Sequence, residues 1–224
     1  MTLPANVVDR LVEKVKFNVG RANDPTLDDY VIEYINNAQK KVLNRANFWF
    51  LHTTATLTFN QGDNVEDLPT DFKSEDIVSI YKDNAWHELD YVSWDDVRKD
   101  MQTLTQGQPK QWLVEQNTLV LWPIPDATYT VQLDYWKFLP DLVAAGLSNS
   151  LLDNYPEILE SWATGKAFMK LREFEDAKEW MALFDMQLRE LVVANVDREL
   201  PDEMVIRPRS DVYGSGIRRN RGRL

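Results

Sequence analysis

The chain has 224 residues, a formal net charge of −11 and no cysteine. Its length suffices to bury a core without covalent staples, and the missing thiols exclude disulfide scaffolds, thiolate metal sites and cysteine nucleophiles. No apolar run approaches the length of a membrane span and the N-terminus lacks a basic stretch followed by an apolar one, so a cytoplasmic setting without a membrane partner is expected.

Thr2 as cap and Pro4 at the start predict a first helix, with Val7, Val8, Leu11, Val15 and Val19 at helical spacing and Gly20 as its stop. Thr26-Leu27-Asp28-Asp29 reads as a capping box, and Leu27, Val31, Tyr34, Ile35, Ala38 and Val42 then share one face of a second helix. After Asn47-Phe48-Trp49-Phe50-Leu51 the period switches to two. Thr53, Ala55, Leu57 and Phe59 face one way and Thr54, Thr56, Thr58 and Asn60 the other, as in a half-buried antiparallel strand.

Runs at 77–81 and 85–89 flank Asp83-Asn84, a two-residue hairpin turn. Ser93-Trp94-Asp95-Asp96 opens a short helix expected to reach about Met101, and Gly107 with Pro109 closes that excursion. A second hairpin, 111–115 with 118–122, turns at Gln116-Asn117 and is ended by Pro123-Ile124-Pro125. Tyr129 to Phe138 alternates as the last strand, making about six strands between two helical parts.

From Tyr135 to Leu171 a strand passes through a loop with Gly146 and Ser148 to Ser150 into a helix, with Asn154 placed to cap it and Pro156 in its first turn. Ile158, Leu159, Trp162, Ala163, Ala167, Phe168 and Leu171 leave only a narrow polar stripe through Glu160, Ser161 and Thr164, so this helix should centre a helical layer. A long helix follows from about Glu175 to Glu199, apolar through Ala177, Trp180, Met181, Phe184, Leu188, Leu191 and Val192 and stopped by Pro201. The expected organisation is α+β: a helical bundle from 1–52 and 139–200, an inserted antiparallel β domain at 53–138, and an extended basic C-terminal tail at 201–224. In that tail six arginines oppose Asp202, Glu203 and Asp211, a net of +3, which leaves −14 on the body. An acidic body repels nucleic acid, while a basic tail can reach an acidic partner.

Catalytic chemistry finds little purchase. His52 and His87 have no metal-ligand spacing, and the common nucleotide and hydrolase loops are absent, so neither a metal nor a cofactor is expected. Asp28-Asp29, Asp95-Asp96 and the Glu173, Glu175, Asp176 group each sit at a predicted helix start, where a carboxylate opposes the helix dipole. Of eight tryptophans, Trp112, Trp122 and Trp136 fall in strands and Trp94, Trp162 and Trp180 in helices, as core or subunit-interface anchors. The competing reading of that tryptophan content is a sugar-stacking surface in a carbohydrate-binding or carbohydrate-cleaving tail module. Arginines interleaved with Val205, Ile206, Tyr213 and Ile217 are the mixture found at protein docking sites, which favours that reading over contact with nucleic-acid phosphates or a solvated tail without a role.

Several stretches carry a resemblance. They are Tyr-Ile-Asn-Asn-Ala-Gln-Lys-Lys-Val-Leu-Asn-Arg-Ala-Asn-Phe-Trp-Phe-Leu (34–51), Leu-Pro-Thr-Asp-Phe (68–72), Gly-Gln-Pro-Lys-Gln-Trp (107–112), Leu-Trp-Pro-Ile-Pro (121–125), and Asp-Tyr-Trp-Lys-Phe-Leu-Pro-Asp-Leu (134–142) followed by Leu-Leu-Asp-Asn-Tyr-Pro-Glu-Ile-Leu (151–159). In this order they resemble bacteriophage head-to-tail adaptor proteins, or connectors, which in short-tailed phages are similar to tail tubular protein A. The resemblance implies a non-enzymatic virion protein of the head-tail neck, assembled in the host cytoplasm. It implies a homo-oligomeric ring, commonly dodecameric, that binds the portal protein, offers a platform to a tail or nozzle protein, and lets DNA pass during ejection without specific binding. The C-terminal segment would then dock on the portal through Arg207, Arg209, Tyr213, Ile217, Arg218, Arg219, Arg221 and Arg223.

Overall fold

The computed structural model describes residues 6–97, 105–144 and 146–199. Helix α1, Val7–Asn18, begins at Asn6, whose Oδ1 accepts from the Val8 N–H at 2.8 Å; the expected signals Thr2 and Pro4 lie outside the described residues. Gly20 ends it as expected. At φ +66° it lets its own N–H reach the Phe17 carbonyl (3.0 Å) and that of Arg21 reach Lys16 (2.9 Å), which satisfies two orphan carbonyls.

Helix α2, Asp28–Leu43, follows a 3-10 turn at Pro25–Leu27. The expected capping box at Thr26 is corrected: α2 has no side-chain cap, and the 3-10 turn before it is capped by Asp24, which is extended and accepts from the Thr26 N–H at 2.9 Å. Thr26 is already inside the turn, so it cannot cap; its hydroxyl donates to Asp24 instead. A similar correction applies later. Helix α4, Ser150–Asn154, is capped by Asn149, and α5, Pro156–Leu171, starts with Pro156 in its first turn but without a side-chain cap. Asn154 therefore caps nothing: it closes α4, its Nδ2 donating to the Ser150 carbonyl.

Helix α6, Phe174–Glu199, has 26 residues and lies along α5. Gly165 makes the approach close, since a Cβ there would stand 3.0 Å from Met181 Cε and 3.3 Å from the Ala177 carbonyl oxygen. Helices α1, α2 and α6 all pack on α5. The stripe Glu160, Ser161, Thr164 is consequently not a solvent face: these residues are 7, 2 and 0% exposed. Each is bonded. Glu160 accepts from Asn18 Nδ2 at 2.9 Å and pairs with Lys14 at 2.6 Å, Ser161 donates to Gln187 at 2.8 Å, and Thr164 accepts from Asn18 at 3.4 Å.

The strands form two four-stranded sheets and one pair. The first has β1 (His52–Phe59), β10 (Tyr129–Lys137), β3 (Phe72–Lys82) and β4 (Ala85–Glu88) side by side in that order, all antiparallel. Asp83 and Asn84 adopt φ of 50° and 61°, the left-handed pair that a two-residue hairpin requires. The second sheet runs β2 (Val65–Asp67), β8 (Thr118–Trp122), β7 (Gln111–Glu115) and β5 (Asp90–Tyr91). A short helix α3, Trp94–Val97, follows β5, and the pair is β6 (Gln106–Gly107) with β9 (Ile124–Pro125). Expectations of six strands and a wholly antiparallel arrangement are both corrected, because β5 pairs β7 and β6 pairs β9 in parallel. The four unexpected strands have two or three residues, too few to show alternation.

The class is α+β, and buried apolar side chains gather separately among the helices and among the strands. Between the two gatherings, Trp136 of β10 leans on the helical cluster and Lys73 of β3 donates to the Ala46 carbonyl at 2.6 Å. Burial holds the Lys73 ammonium below the ordinary lysine pKa.

Candidate interaction surfaces

The eight residues expected to dock on a partner, Arg207 to Arg223, lie outside the described residues. Within them, several groups that invite a catalytic reading are engaged structurally, while His87 stands exposed on β4. His52 Nε2 meets Asp76 at 2.9 Å at the edge of the first sheet, and its ring stands edge-on to Trp136. Asp28 takes the ammonium of Lys16 at 2.7 Å. Burial alone pushes that ammonium down, but the hydrogen bond and charge of Asp28, assisted by Glu13, outweigh it and raise the Lys16 pKa above its ordinary value. Glu175 and Asp176 occupy the first turn of α6. Among the described residues no three His, Asp or Glu side chains gather as metal ligands, and no helix is long and apolar enough to cross a membrane.

Polar chemistry concentrates where the chain leaves β10 for α4. Asn36 of α2 holds both backbone groups of Leu142, donating to its carbonyl at 2.8 Å and accepting from its N–H at 2.7 Å. One turn on, the fully buried Gln39 donates to the carbonyls of Pro140 (2.8 Å) and Leu139 (3.3 Å) and accepts from Asn149, the α4 cap, at 2.7 Å. Lys40 adds Asp141 at 3.0 Å. Two of the sequence stretches quoted above, Tyr34 to Leu51 and Asp134 to Leu142, thus bind each other. A second brace involves Asn195 of α6, 5% exposed, which accepts from the Trp49 N–H at 2.9 Å and donates to the Asn47 carbonyl at 3.0 Å. Arg198 lies over the Trp49 ring, 4.2 Å from its centroid. These are supports.

The outward surfaces differ in kind. Trp112 and Trp122 are buried, and Trp136, Trp162 and Trp180 are half-buried against the helical cluster, as an anchoring role requires. Trp86 and Trp94 are exposed. Trp86 of β4 pairs across the hairpin with Tyr81 of β3, rings 5.1 Å apart, and Tyr91 follows on β5. Helix α6 shows Met186, Val193 and Val196 on its outside at 50, 59 and 47% exposure, and α1 shows Val7 and Phe17, the latter 74% exposed. The sequence reading missed these outer faces. Their signal was present in the spacing 182, 186, 189, 193, 196, a second series alternating four and three residues beside the buried one.

Residues 7–209 match the SU10 adaptor protein family. The match covers nearly the whole chain, which therefore belongs to that family, phage structural proteins of the head-to-tail adaptor kind. No curated protein matches it.

Proposed function

We propose that this chain forms a homo-oligomeric ring, dodecameric in the simplest case, that joins the phage portal to the tail and gives DNA a passage. The family match over residues 7–209 carries this reading. On it, the helices at 1–52 and 139–200 form the bundle that sets contacts between neighbouring copies. The inserted β domain, 53–138, offers a face to the tail or nozzle protein, and the exposed Tyr81, Trp86 and Tyr91 are the anchors such a face needs. The basic tail, 201–224, reaches the portal through its arginines, Tyr213 and Ile217. The role is structural rather than enzymatic, its place is the virion neck, and the likeness to tail tubular protein A belongs to the same reading. A body carrying −14 repels phosphates, so DNA slides through rather than sticks.

The test mixes the purified full-length chain with portal rings and follows assembly by mass photometry and negative-stain imaging. An added ring on the portal is expected; intact portal without one refutes the proposal. Truncation after Leu200 should leave the fold and abolish portal binding, and retained binding removes the tail from the mechanism. The exposed pair Tyr81 and Trp86 keeps the carbohydrate-module reading as second choice. That reading requires tryptophan fluorescence to respond to cell-surface polysaccharide, whereas an adaptor stays silent.

A further inference from the structure

We infer that neighbouring copies meet head to tail, the outer face of α1 on one copy against the outer face of α6 on the next. The inference rests on the ring reading above and names the surfaces that build it.

On α1, Val7, Arg10, Lys14 and Phe17 are all exposed and alternate three and four residues apart. Such spacing sets them along one side of the helix. Buried Val8, Leu11, Val12 and Val15 occupy the other side. This outer face is apolar at its two ends and basic between them, through Arg10 and through a Lys14 whose ammonium already meets Glu160. On α6 the exposed line is Ala182, Met186, Arg189, Val193 and Val196, spaced in the same alternation. Phe184, Leu188 and Leu191 on its inner side already fill the helical core, so the outer line has no use inside the copy. Along and beside that line exposed Glu175, Glu179, Asp185 and Glu190 outnumber exposed Lys178 and Arg189, so its balance is acidic.

Charge selects the occupant. Two α6 faces brought together would set one acidic balance against another, and two α1 faces would set basic against basic at Arg10 and Lys14. Across an interface, like charges disfavour both self-pairings while the mixed pairing is attractive. Both faces also carry large apolar side chains that an isolated copy leaves in water, Phe17 and Val193 most of all. Because α1 and α6 sit on different flanks of α5, through Glu160 and Thr164 for one and Ser161 and Gly165 for the other, the contact joins two different patches. Repetition of such a heterologous contact closes into a ring or runs on as a filament.

The absence of native cysteine makes the test clean. Phe17→Cys is combined with Met186→Cys, and separately with Val193→Cys, in the full-length chain; each is assembled on portal rings and treated with a short bis-maleimide reagent. A ladder of covalent multimers on denaturing gels is expected from at least one double variant, and none from the three single variants. Dimers from a single variant mean that a face meets its own copy, and overturn the proposal. Wild-type rings whose double variants assemble without a ladder also overturn it while leaving the ring reading intact; no ring from the wild type sinks both. Phe17→Asp and Val193→Asp, checked for unchanged circular dichroism, should each lower ring formation at least tenfold. Rings that tolerate both substitutions overturn the proposal independently of the cross-linking.

Discussion

Gln39→Leu tests the support that α2 gives to the 139–149 connection. Leucine approximates the volume of glutamine, so no large cavity confuses the result and the loss reports on hydrogen bonds. Two of these are well formed, to Pro140 (2.8 Å) and Asn149 (2.7 Å), and a third, to Leu139, is long at 3.3 Å. At about 1 kcal/mol net for each good bond the expected loss is about 2 kcal/mol. For a chain of this size that lowers Tm by about 4–8 °C. Asn149 is only half-buried and can turn to water, which keeps the figure from rising further.

Gln39→Glu sharpens the test. It keeps an acceptor for Asn149 but points a carboxylate at two carbonyls, so at pH 7 it should destabilise more than leucine does. Burial among acceptors raises the pKa of the new carboxyl above its ordinary value of about 4.3. Its protonated form can donate where the amide did, so the deficit relative to wild type should shrink as pH falls from 7 to 5. Urea unfolding followed by far-UV circular dichroism at both pH values reads all three proteins. A leucine variant within about 0.5 kcal/mol of wild type, or a glutamate variant no worse than leucine at pH 7, would refute this account of Gln39.

Arg172 ends α5 at φ 65°, with its N–H on Met169 (3.1 Å) and that of Glu173 on Phe168 (3.0 Å), the position where glycine is preferred. Arg172→Gly should therefore stabilise the chain by about 0.5–1 kcal/mol, read as an increase in Tm; a decrease contradicts the assigned geometry. Gly165→Val should cost at least about 2 kcal/mol, since Met181 and the Ala177 carbonyl occupy the space a side chain needs; chemical denaturation at neutral stability would show the packing of α5 on α6 to be looser than described. The Tyr135 hydroxyl donates to Asp71 at 2.9 Å, and burial, then that bond and the Asp71 charge, push its pKa up to about 12. Folding thus favours the protonated phenol: its contribution is whole below the unfolded value of about 10 and is lost as pH rises toward 12. Tyr135→Phe should be less stable at pH 8 and decline less steeply between pH 10 and 12; parallel declines would refute the link.

Elements with a strong period were legible in the residues. The alternation at 53–60 and 129–138 gave β1 and β10, while β3 starts at Phe72, five residues before the run at 77–81; Asp83-Asn84 gave the hairpin between β3 and β4 with its backbone conformation. Caps were less legible because several candidates stand close together: Asp24 lies two residues before Thr26, and Asn149 five before Asn154. Which one caps depends on where the chain first turns helical, and that is decided by packing. Distance in sequence hid more. Glu160, Ser161 and Thr164 look like a solvent stripe until Asn18, Lys14 and Gln187 arrive from other helices. Asn36 and Gln39 gave no sign of their task, because their partners are backbone groups about 100 residues away. The outer line of α6 was overlooked for the opposite reason: an apolar residue on a long helix reads as core until α5 is seen to take only one side.

What results is a chain with polar groups placed inside and apolar ones placed outside, and the two departures are connected. Apolar burial is non-directional and permits sliding; hydrogen bonds to backbone groups fix an orientation. The inward polar residues Asn36, Gln39 and Asn195 all grip connecting segments, at Leu139 to Leu142 and Asn47 to Trp49, where helices hand over to strands. Lys73 does the same from the sheet side, holding Ala46. These bonds add modest stability but remove the freedom of the sheets to swing against the helices. A subunit repeated around a ring multiplies any such angular error at every contact. On the proposed assembly, then, the outward faces of α1 and α6 are useful only because the inward polar residues hold their surroundings at one angle.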